Sequence, residues 1–523
     1  MKPLLIFFKS QPITLTALTG LLMGLAPEPL NWWGLAWVAL VPLWFLISSD
    51  RPNYLKYSEI ALVSFSWGFC YHSVALFWIT GVHPMTWMGV PWLASLAIAI
   101  AVWLLVSCWG ALLVCLWGLG FSWLTRCYVG NRSGANQSIV WAIAGKILIG
   151  VTLWCCLETI WSYSPLWWSS LSYTQSPHNL IILQLAKLSG FNTITAAIVL
   201  VNGVFAEGLV NCSKLRYRAA AIALGLLAVF HLGGWYLYNL PIAKDNLTPI
   251  KVGLIQGNIP NEIKLYSQGW SKAIDGYTTG YQRLASQVDA VLTPETALPF
   301  YWDDITNNST FYRTVKQNQT LAWVGAYGRE GNSYTNSLFT LTADGQTYSR
   351  YDKALLVPLG EYIPLEPILG KIIDRLSPLE AHLQAGQPQQ LFDTPFGQAI
   401  VGICYESAYS RHFRWQTKSG GQFMLTASNN AHYSNTMPAQ HHAQDTIRAI
   451  ESDRWMARAT NTGYSAIVDP HGNTIWRSQI NRYQIHADTI YQRTTLTPYV
   501  KWGDWLTSVL LLTCFGVLVI LKE

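Results

Sequence analysis

The sequence predicts a polytopic α-helical membrane domain, a separate α/β domain and one further membrane helix. The chain of 523 residues is 51% hydrophobic and only 12% charged, whereas an average soluble domain has about 25% charged residues. Apolar residues dominate residues 1–240 and a last run near the C-terminus, while residues 245–500 have ordinary polar content. Of the 9 cysteines, only Cys404 lies in that polar region.

The apolar segments have the length of membrane-spanning helices, which need about 20 predominantly apolar residues. Seven candidate spans precede the polar region and an eighth follows it: residues 10–27, 30–49, 58–81, 88–120, 138–162, 190–211, 217–238 and 503–521. The predicted domains are therefore a seven-helix membrane domain over 1–240, an α/β domain over 245–500 and a C-terminal transmembrane helix over 503–523.

Basic residues are distributed unequally between the two sets of connections that alternate along the chain. One set, with the two termini, holds Lys2, Lys9, Arg51, Lys56, Arg126, Arg132, Lys214, Arg216, Arg218 and Lys522, and the other set holds only Lys187. Cytoplasmic loops are the ones rich in Lys and Arg, so both termini are predicted to be cytoplasmic and the 245–500 domain extracytoplasmic. This asymmetry also accounts for much of the net charge of +6, and no nucleic-acid partner is predicted.

The single cysteine of the predicted outer domain has two interpretations. Extracytoplasmic domains usually pair their cysteines, but Cys404 has no partner within 245–500 for an internal disulfide. It is either a small buried hydrophobic residue or a reactive group, and a reactive thiol requires charged partners.

Three stretches supply such partners. They are "AVLTPETALPF" with Glu295, "YDKALLVPLGEYIP" with Lys353 and Glu361, and "AIVGICYES" with Cys404. In each stretch a charged or nucleophilic residue comes after an apolar run, at the expected end of a β-strand. Strand ends of a sheet can bring together side chains from distant parts of a sequence, so these residues are candidates for one site.

These stretches, together with "ATNTGYSAIVDPHG", resemble the signature blocks of the nitrilase (carbon-nitrogen hydrolase) superfamily. Combined with the membrane half, which includes "GLAPEPLNWWGLAWVALVPLW" and "WGFCYHSVALFWIT", the chain resembles the bacterial apolipoprotein N-acyltransferases over essentially its whole length. The resemblance implies an α-β-β-α sandwich for the outer domain. Strand candidates compatible with it are 251–256, 289–293, 321–326, 337–342, 398–403, 422–426 and 465–469, with helices at 268–287 and 439–458.

The resemblance also implies a role for each candidate residue. Glu295 would be the proton acceptor, Lys353 the stabiliser of an oxyanion and Cys404 the nucleophile, because a thiol with a pKa near 8.5 needs a base and a cation to react as thiolate. Glu361 would support Lys353, with a surface carboxylate as its alternative. Tyr405 and Glu406 would shape the pocket, although Tyr405 is equally compatible with a core aromatic residue.

The implied reaction transfers a fatty acyl chain in two steps through a thioester on Cys404. The donor would be a membrane phospholipid, and the acceptor the α-amino group of the diacylglyceryl-modified N-terminal cysteine of an apolipoprotein. The implied location is the bacterial inner membrane, a monomer is expected, and no metal or cofactor is expected. The alternatives are a membrane-tethered amidase or nitrilase with water as acceptor, and a transporter or lipid-binding protein whose outer domain is inert.

Several features receive no role from the sequence. The family has aromatic residues where this chain has His432-Tyr433, so no function carries over to that pair. His432, His441 and His442 lack the companions of a recognisable metal site, and a structural or solvated cluster is favoured. Segment 362–390 is either an amphipathic interfacial arm or an ordinary surface helix and loop. No role is assigned to Glu158 and Glu207, which lie in or near predicted spans.

Overall fold

The computed structural model describes the chain with gaps and divides it into two compact units. The described residues are 11–48, 55–128, 139–210, 213–242, 248–331, 333–358, 360–362 and 383–522. The first unit, here the helical unit, comprises the chain up to Phe77, Ile100–Leu240 and the chain from Trp502 onward. The second unit, here the mixed unit, comprises Trp78–Ala99 and Pro241–Lys501. Most of the predicted arm, residues 363–382, lies outside the described residues.

Helices occupy each of the predicted spans. They are α1 (Pro12–Gly24), α2 (Val41–Ser48), α3 (Tyr57–Ala75), α4 (Trp92–Tyr128), α5 (Ile139–Trp161), α6 (Leu180–Leu183), α7 (Ala186–Ser189), α8 (Phe191–Val210), α9 (Ser213–Tyr238) and a C-terminal helix (Trp505–Lys522). Within the described part of the chain, four helices are long and apolar enough to cross a membrane, and these are α4, α5, α8 and α9. The polytopic helical domain expected from the sequence is thus confirmed.

Two helices differ in extent from the predicted spans. The span predicted at 30–49 consists of a 3₁₀ turn, Trp33–Trp37, followed by the short helix α2. Pro42 is the second residue of α2, and because proline lacks an N–H it is tolerated only in the first turn of a helix. Helix α3 ends at Ala75, and a 3₁₀ segment, Phe77–Val82, replaces the end of the predicted span 58–81.

Both carboxylates of the helical unit that the sequence left without a role are buried and hydrogen-bonded. The donors to Glu158 are Trp154 Nε1 (3.1 Å), Ser170 Oγ (2.7 Å), Leu171 N (2.9 Å) and Thr195 Oγ1 (2.8 Å). Glu207 accepts from Trp44 Nε1 at 3.0 Å and from the Ser48 hydroxyl. A carboxylate inside a membrane domain is costly unless it is paired. These contacts join segments that are distant in sequence, so both residues serve to pack the helices.

The mixed unit contains two β-sheets. Its strands are β1 (Pro249–Gln256), β2 (Ala290–Leu292), β3 (Leu321–Glu330), β4 (Ser333–Leu341), β5 (Thr347–Asp352), β6 (Phe392–Thr394), β7 (Gly397–Ile403), β8 (Phe423–Ser428), β9 (Met456–Thr460), β10 (Ala466–Val468), β11 (Thr474–Arg477) and β12 (Gln484–Tyr491). Among the described residues, each sheet has 6 strands, in the orders β12-β1-β2-β3-β4-β5 and β11-β10-β9-β8-β7-β6. The central pairs β1–β2, β2–β3, β7–β8 and β8–β9 are parallel, and the outer pairs are antiparallel.

Helices cover the outer faces of these sheets. They are α10 (Asn261–Lys264), α11 (Ser267–Ala285), α12 (Trp302–Asn308), α13 (Thr310–Asn318), α14 (Ser410–Lys418), α15 (Thr436–Ser452) and α16 (Pro498–Trp502). Alternate residues of a strand face opposite sides, so Leu254 of β1 and Val401 of β7 lie in a core shared by both sheets. Their neighbours Ile255 and Ile400 pack in two separate outer clusters with the helices. The layers are therefore helix, sheet, sheet and helix, which confirms the predicted sandwich.

The strand candidates were located correctly, but one helix was predicted too long. All seven candidates coincide with strands, namely β1, β2, β3, β4, β7, β8 and β10. The helix predicted at 439–458 is wrong at its C-terminal end, since α15 stops at Ser452 and residues 456–458 belong to β9. Asp453 adopts the left-handed conformation with φ +54°, which is a common way to terminate a helix.

Gly325 allows a strand and a loop to touch backbone to backbone. It lies in β3 opposite the turn that follows β2, and its carbonyl accepts a hydrogen bond from Leu298 N at 3.1 Å. A Cβ at this position would lie 2.0 Å from Pro294 O and 2.8 Å from Thr296 N. Because both atoms belong to the backbone, the turn and β3 would have to separate to accept any side chain.

We expect Gly325→Ala to destabilise the mixed unit by about 1–3 kcal/mol, the usual cost of overpacking. Thermal unfolding of the detergent-solubilised protein, followed by tryptophan fluorescence, measures this. Gly276→Ala in α11 is the matched control, because its Cβ would meet only Tyr483 Cε2 at 3.6 Å and alanine favours a helix. Equal melting temperatures for the two variants would contradict the proposed backbone contact.

Candidate active site

Three residues predicted as a site lie at strand ends of the mixed unit. Glu295 is in the turn after β2, Lys353 directly follows β5 and Cys404 directly follows β7. Strands β2 and β5 belong to one sheet and β7 to the other. All three side chains are buried, with exposed fractions of 6%, 1% and 6%. The fold thus gathers residues that are up to 109 positions apart in the sequence.

The Glu295 carboxylate accepts hydrogen bonds on both oxygens. Oε1 accepts from Lys353 Nζ at 3.0 Å and from Asn336 Nδ2 at 2.6 Å, while Oε2 accepts from Asn429 N at 2.8 Å. Burial acts to raise the pKa of Glu295, but the ammonium groups of Lys353 and Lys264, together with these hydrogen bonds, hold it below its ordinary value. Glu295 is therefore ionised and able to receive a proton.

Lys353 lies between two carboxylates. Its Nζ donates to Glu295 Oε1 at 3.0 Å and to Glu361 Oε1 at 2.7 Å. Burial acts to lower the pKa of Lys353, but the charges of Glu295 and Glu361 raise it well above its ordinary value. The other oxygen of Glu361 accepts from Val357 N at 2.8 Å. Burial raises the pKa of Glu361 above its ordinary value, and its two donors, Lys353 Nζ and Val357 N, oppose this by favouring the carboxylate.

Cys404 is held in an unusual backbone conformation as a protonated thiol. Its φ is +52°, a region that residues other than glycine rarely occupy except at constrained functional positions. Burial raises the pKa of the Cys404 thiol well above its ordinary value, the charge of Glu295 raises it further, and Lys353 opposes this. Reaction at the sulfur therefore requires a base to remove the proton during attack.

The main chain of Asn429 connects the proposed base with the proposed nucleophile. Asn429 follows β8, and its N–H donates to Glu295 Oε2 at 2.8 Å. Its carbonyl oxygen lies 3.9 Å from the sulfur of Cys404. The Asn429 side chain is fixed by Asn461 Nδ2, which donates to Asn429 Oδ1 at 3.0 Å. One residue thus sets the positions of the carboxylate and the thiol.

Glu406 accepts hydrogen bonds from the backbone next to Lys353 and next to Cys404. It is completely buried, and its Oε1 accepts from the backbone of Ala354 at 2.7 Å and of Leu355 at 3.2 Å, just after Lys353. Its Oε2 accepts from Ile403 N at 2.7 Å, just before Cys404. Glu406 therefore ties the backbone beside Lys353 to the backbone beside Cys404, and its predicted pocket-shaping role stays a prediction.

The histidines considered for a metal site have separate partners. His441 Nε2 donates to Cys404 O at 2.8 Å and its Nδ1 accepts from Asn430 Nδ2 at 3.1 Å, whereas His442 Nε2 lies 3.0 Å from Thr474 Oγ1. Burial and the charge of Arg458 hold the pKa of His441 well below its ordinary value, so this ring is neutral. Among the described residues, no group of His, Cys, Asp and Glu is arranged to hold a metal ion.

Aromatic residues from the segment Trp78–Ala99 pack on the loop after β8. The rings of Trp78 and Tyr433 meet edge to face at 5.0 Å, and the rings of Trp87 and His432 are 6.1 Å apart. Tyr405, half-buried, packs edge to face on Tyr409 at 5.3 Å. The pair His432-Tyr433, where the sequence departs from the family pattern, is thus part of an aromatic rim in the mixed unit.

Sequence reasoning missed Asn336, Asn429 as a main-chain ligand, and Lys264. Asn336 is a buried amide in β4, but its neighbours Thr335 and Ser337 are also buried polar residues, so its polarity alone does not single it out. Lys264 Nζ donates to the carbonyl of Glu295 at 3.1 Å and to Thr296 Oγ1 at 2.8 Å. Its short helix carries no pattern that predicts burial.

The fold and the Glu–Lys–Cys arrangement define the mixed unit as a carbon-nitrogen hydrolase domain. Residues 251–492 match the family "Carbon-nitrogen hydrolase", and residues 19–204 match "Apolipoprotein N-acyltransferase N-terminal domain". A protein named apolipoprotein N-acyltransferase from Nostoc sp. is 55% identical over 93% of this chain and 95% of its own length. Its namesake from Synechocystis sp. is 48% identical over 94% of this chain and 96% of its own length. The chain belongs to the apolipoprotein N-acyltransferase family.

We expect Glu406→Gln to weaken the mixed unit by about 1–3 kcal/mol, because an amide nitrogen leaves at least one buried backbone N–H without an acceptor. Hydrogen exchange should become faster at Ala354, Leu355 or Ile403, and the melting temperature should fall. Glu262→Gln, at an exposed position of α10, is the control and should change neither quantity. Unchanged exchange at all three amides would show that Glu406 does not brace the site.

Proposed function

We propose that the protein transfers a fatty acyl chain from a membrane phospholipid to the N-terminal α-amino group of the S-diacylglyceryl cysteine of apolipoproteins. The transfer proceeds through a thioester on Cys404. The observation that carries this proposal is the pairing of an ionised Glu295 with a protonated Cys404 across the main chain of Asn429. Family membership supports the nature of the acceptor.

The first half-reaction forms the acyl-enzyme. Glu295 accepts the proton of Cys404 as the sulfur attacks the ester carbonyl carbon of the phospholipid. The oxyanion that develops is stabilised by the ammonium of Lys353, and a donor of this kind typically lowers the barrier by about 3–4 kcal/mol. The C–O bond then breaks, Glu295 returns the proton to the departing alcohol, and a lysophospholipid leaves. The thioester remains on Cys404.

The second half-reaction transfers the acyl chain to the acceptor. The neutral α-amino group attacks the thioester carbonyl, Glu295 accepts a proton from the nitrogen, and the C–S bond breaks. The proton then passes from Glu295 to the sulfur, which regenerates the thiol of Cys404. Lys353 again stabilises the oxyanion. Both half-reactions thus use one base and one cation, as expected for a ping-pong mechanism.

The resting protonation states favour attack only when substrate is present. The pKa of Glu295 lies below and that of the Cys404 thiol above its ordinary value, so proton transfer between them is unfavourable without bond formation to carbon. The buried position of Cys404 also limits the access of water, which would hydrolyse the thioester. These two properties suit an intermediate that must wait for a second substrate.

The protein is an inner-membrane protein by its family and its apolar helices. We infer that residues 1–240 and 503–523 form its transmembrane domain, that both termini are cytoplasmic, and that the catalytic domain over 245–500 faces the periplasm. Both lipid substrates would then reach the site by lateral diffusion, which a monomer can accomplish. Glu361 supports Lys353 in this proposal, and Glu406 positions the two reactive segments.

Incubation of the protein with phospholipid should add one fatty acyl group to Cys404, detected by peptide mass spectrometry. Cys404→Ala should abolish the adduct and the transfer to a diacylglyceryl lipopeptide, while leaving the melting temperature close to that of the unmodified protein. Glu295→Gln should slow adduct formation by about 100-fold or more, the usual contribution of a general base. Normal transfer by Cys404→Ala would exclude it as the nucleophile.

The same assay separates the amine acceptor from water. With phospholipid and lipopeptide together, the acyl chain should appear on the lipopeptide amine rather than as free fatty acid. Release of free fatty acid at the same rate with and without lipopeptide would instead identify a membrane-tethered hydrolase. A lipopeptide with an acetylated N-terminus is the control and should receive no acyl chain.

The proposed orientation predicts which cysteines a membrane-impermeant maleimide reaches in intact spheroplasts. Cys127 is exposed at the end of α4, in a connection predicted to be cytoplasmic, and should react only after permeabilisation. A cysteine introduced by Lys272→Cys, at an exposed position of α11, should react from outside. The reverse pattern would invert the orientation.

A further inference from the structure

A second buried lysine, Lys264, lies beside the site and has no part in the mechanism above. It is the last residue of α10, and its side chain is only 3% exposed. Its ammonium donates to the backbone carbonyl of Glu295 at 3.1 Å and to Thr296 Oγ1 at 2.8 Å. A buried ammonium without a role is unusual, because lysine is almost never fully buried unless it is paired.

The positive charge of Lys264 offsets an excess of negative charge in the site. Glu295 and Glu361 are two carboxylates, and among the described residues Lys353 supplies the ammonium in hydrogen-bond contact with both. These three groups alone would leave one net negative charge in a buried region, which is unfavourable. Lys264 supplies a second positive charge at the backbone of Glu295, so the four groups sum to zero when both carboxylates are ionised.

The backbone around Glu295 also depends on Lys264. Thr296 has a φ of +42°, a conformation that is strained for a β-branched residue. The hydrogen bonds from Lys264 hold the carbonyl before Thr296 and the hydroxyl of Thr296 itself. The backbone of Gly325 blocks the other side of the turn. Lys264 therefore fixes the turn from which the Glu295 side chain projects.

We propose that Lys264 is a positioning residue for acyl transfer, which holds the Glu295 turn and supplies the second positive charge beside Glu295 and Cys404. This inference rests on the proposed role of Glu295 as proton acceptor. Lys264 acts through Glu295 and does not itself accept the proton of the thiol or the amine. The acyl donor and acceptor are those of the proposed reaction.

The titratable groups around Lys264 determine how pH should affect it. Glu295 faces it from the turn after β2, Cys404 from the turn after β7 and His432 from the loop after β8, while Glu262 on its own helix is exposed. Burial lowers the pKa of Lys264 to about 8, although Glu295 and Cys404 act to raise it.

The sign of each effect follows from these contacts. Without the charge of Lys264 the pKa of Glu295 rises. The base is then protonated at a higher pH, and the acidic limb of the rate profile moves to higher pH. As the pH rises through about 8, Lys264 loses its own proton and the developing thiolate loses a neighbouring cation. The rate should therefore fall on the alkaline side as well.

The test is the pH profile of acyl-Cys404 formation by the full-length protein in detergent, with a phospholipid that carries a fluorescent acyl chain. Lys264→Met should move the acidic limb up by about 1 pH unit or more, the usual effect of removing a nearby opposite charge, and slow the reaction at neutral pH about 10-fold to 100-fold. Lys272→Met, at an exposed position, should leave the profile unchanged. A slower Lys264→Met enzyme whose acidic limb stays in place would overturn the inference.

Lys264→Arg provides a second test that does not depend on the folding of the methionine variant. Arginine keeps its charge at all accessible pH values, so the alkaline limb should move above that of the unmodified protein. An alkaline limb that remains near pH 8 in Lys264→Arg would also overturn the inference.

Alkylation of Cys404 by iodoacetamide, followed by peptide mass spectrometry, separates this inference from the proposed function. It needs no lipid substrate, and Lys264→Met should alkylate more slowly than the unmodified protein at neutral pH. If the unmodified protein forms no acyl-Cys404 at any pH, the proposed function fails, and the alkylation rates still decide the role of Lys264. Equal alkylation rates in both proteins would count against Lys264 alone.

Discussion

The buried ion pairs of Lys353 with Glu295 and Glu361 are the interaction on which the site depends. A buried charge is tolerated only when it is paired and hydrogen-bonded, so Lys353 requires both carboxylates to approach it. Glu295 in turn needs further donors, which Asn336 of β4 and Asn429 after β8 supply. Because Asn429 directly follows β8 of the second sheet, pairing one ammonium brings strand ends of both sheets together. The reactive geometry is thus a consequence of neutralising a buried charge.

The proposed nucleophile, Cys404, is held through contacts to its backbone. Cys404 keeps a left-handed backbone conformation, which costs free energy and persists only where neighbours determine it. Glu406 fixes the preceding amide, that of Ile403, and His441 fixes the carbonyl of Cys404 itself. The proposed changes of protonation and acylation at the thiol would therefore need no change in the backbone that presents it. In the proposed mechanism, Glu295 transfers the proton, and Glu406 and His441 keep the backbone around Cys404 fixed.

Site residues that follow apolar runs can be predicted from the sequence, whereas site residues that are placed by tertiary packing cannot. Glu295 and Cys404 stand at the ends of apolar strands, and motif resemblance assigns their chemistry. Asn336 lies inside a strand and Lys264 in a helix of four residues, and neither shows a local pattern that predicts its contacts. The same holds for the fold, because the strands that the sequence predicts are apolar runs. The strands that it does not predict lack this signal: β5, β11 and β12 are partly exposed, and β6 has three residues. Strand β9 follows a helical pattern that the left-handed Asp453 interrupts.

The mixed unit is not a simple insertion between two membrane helices. Its first segment, Trp78–Ala99, precedes the rest of the unit, Pro241–Lys501, by some 140 residues in sequence. This segment packs on the loop after β8 through Trp78 and Tyr433. Its backbone approaches so closely that a Cβ at Gly81 would lie 2.4 Å from the nitrogen of Ser434. That loop begins at Asn429, which holds Glu295. The segment between α3 and α4 therefore packs on the loop whose first residue, Asn429, holds the Glu295 carboxylate, so a change in this segment could reach Glu295 through that one loop.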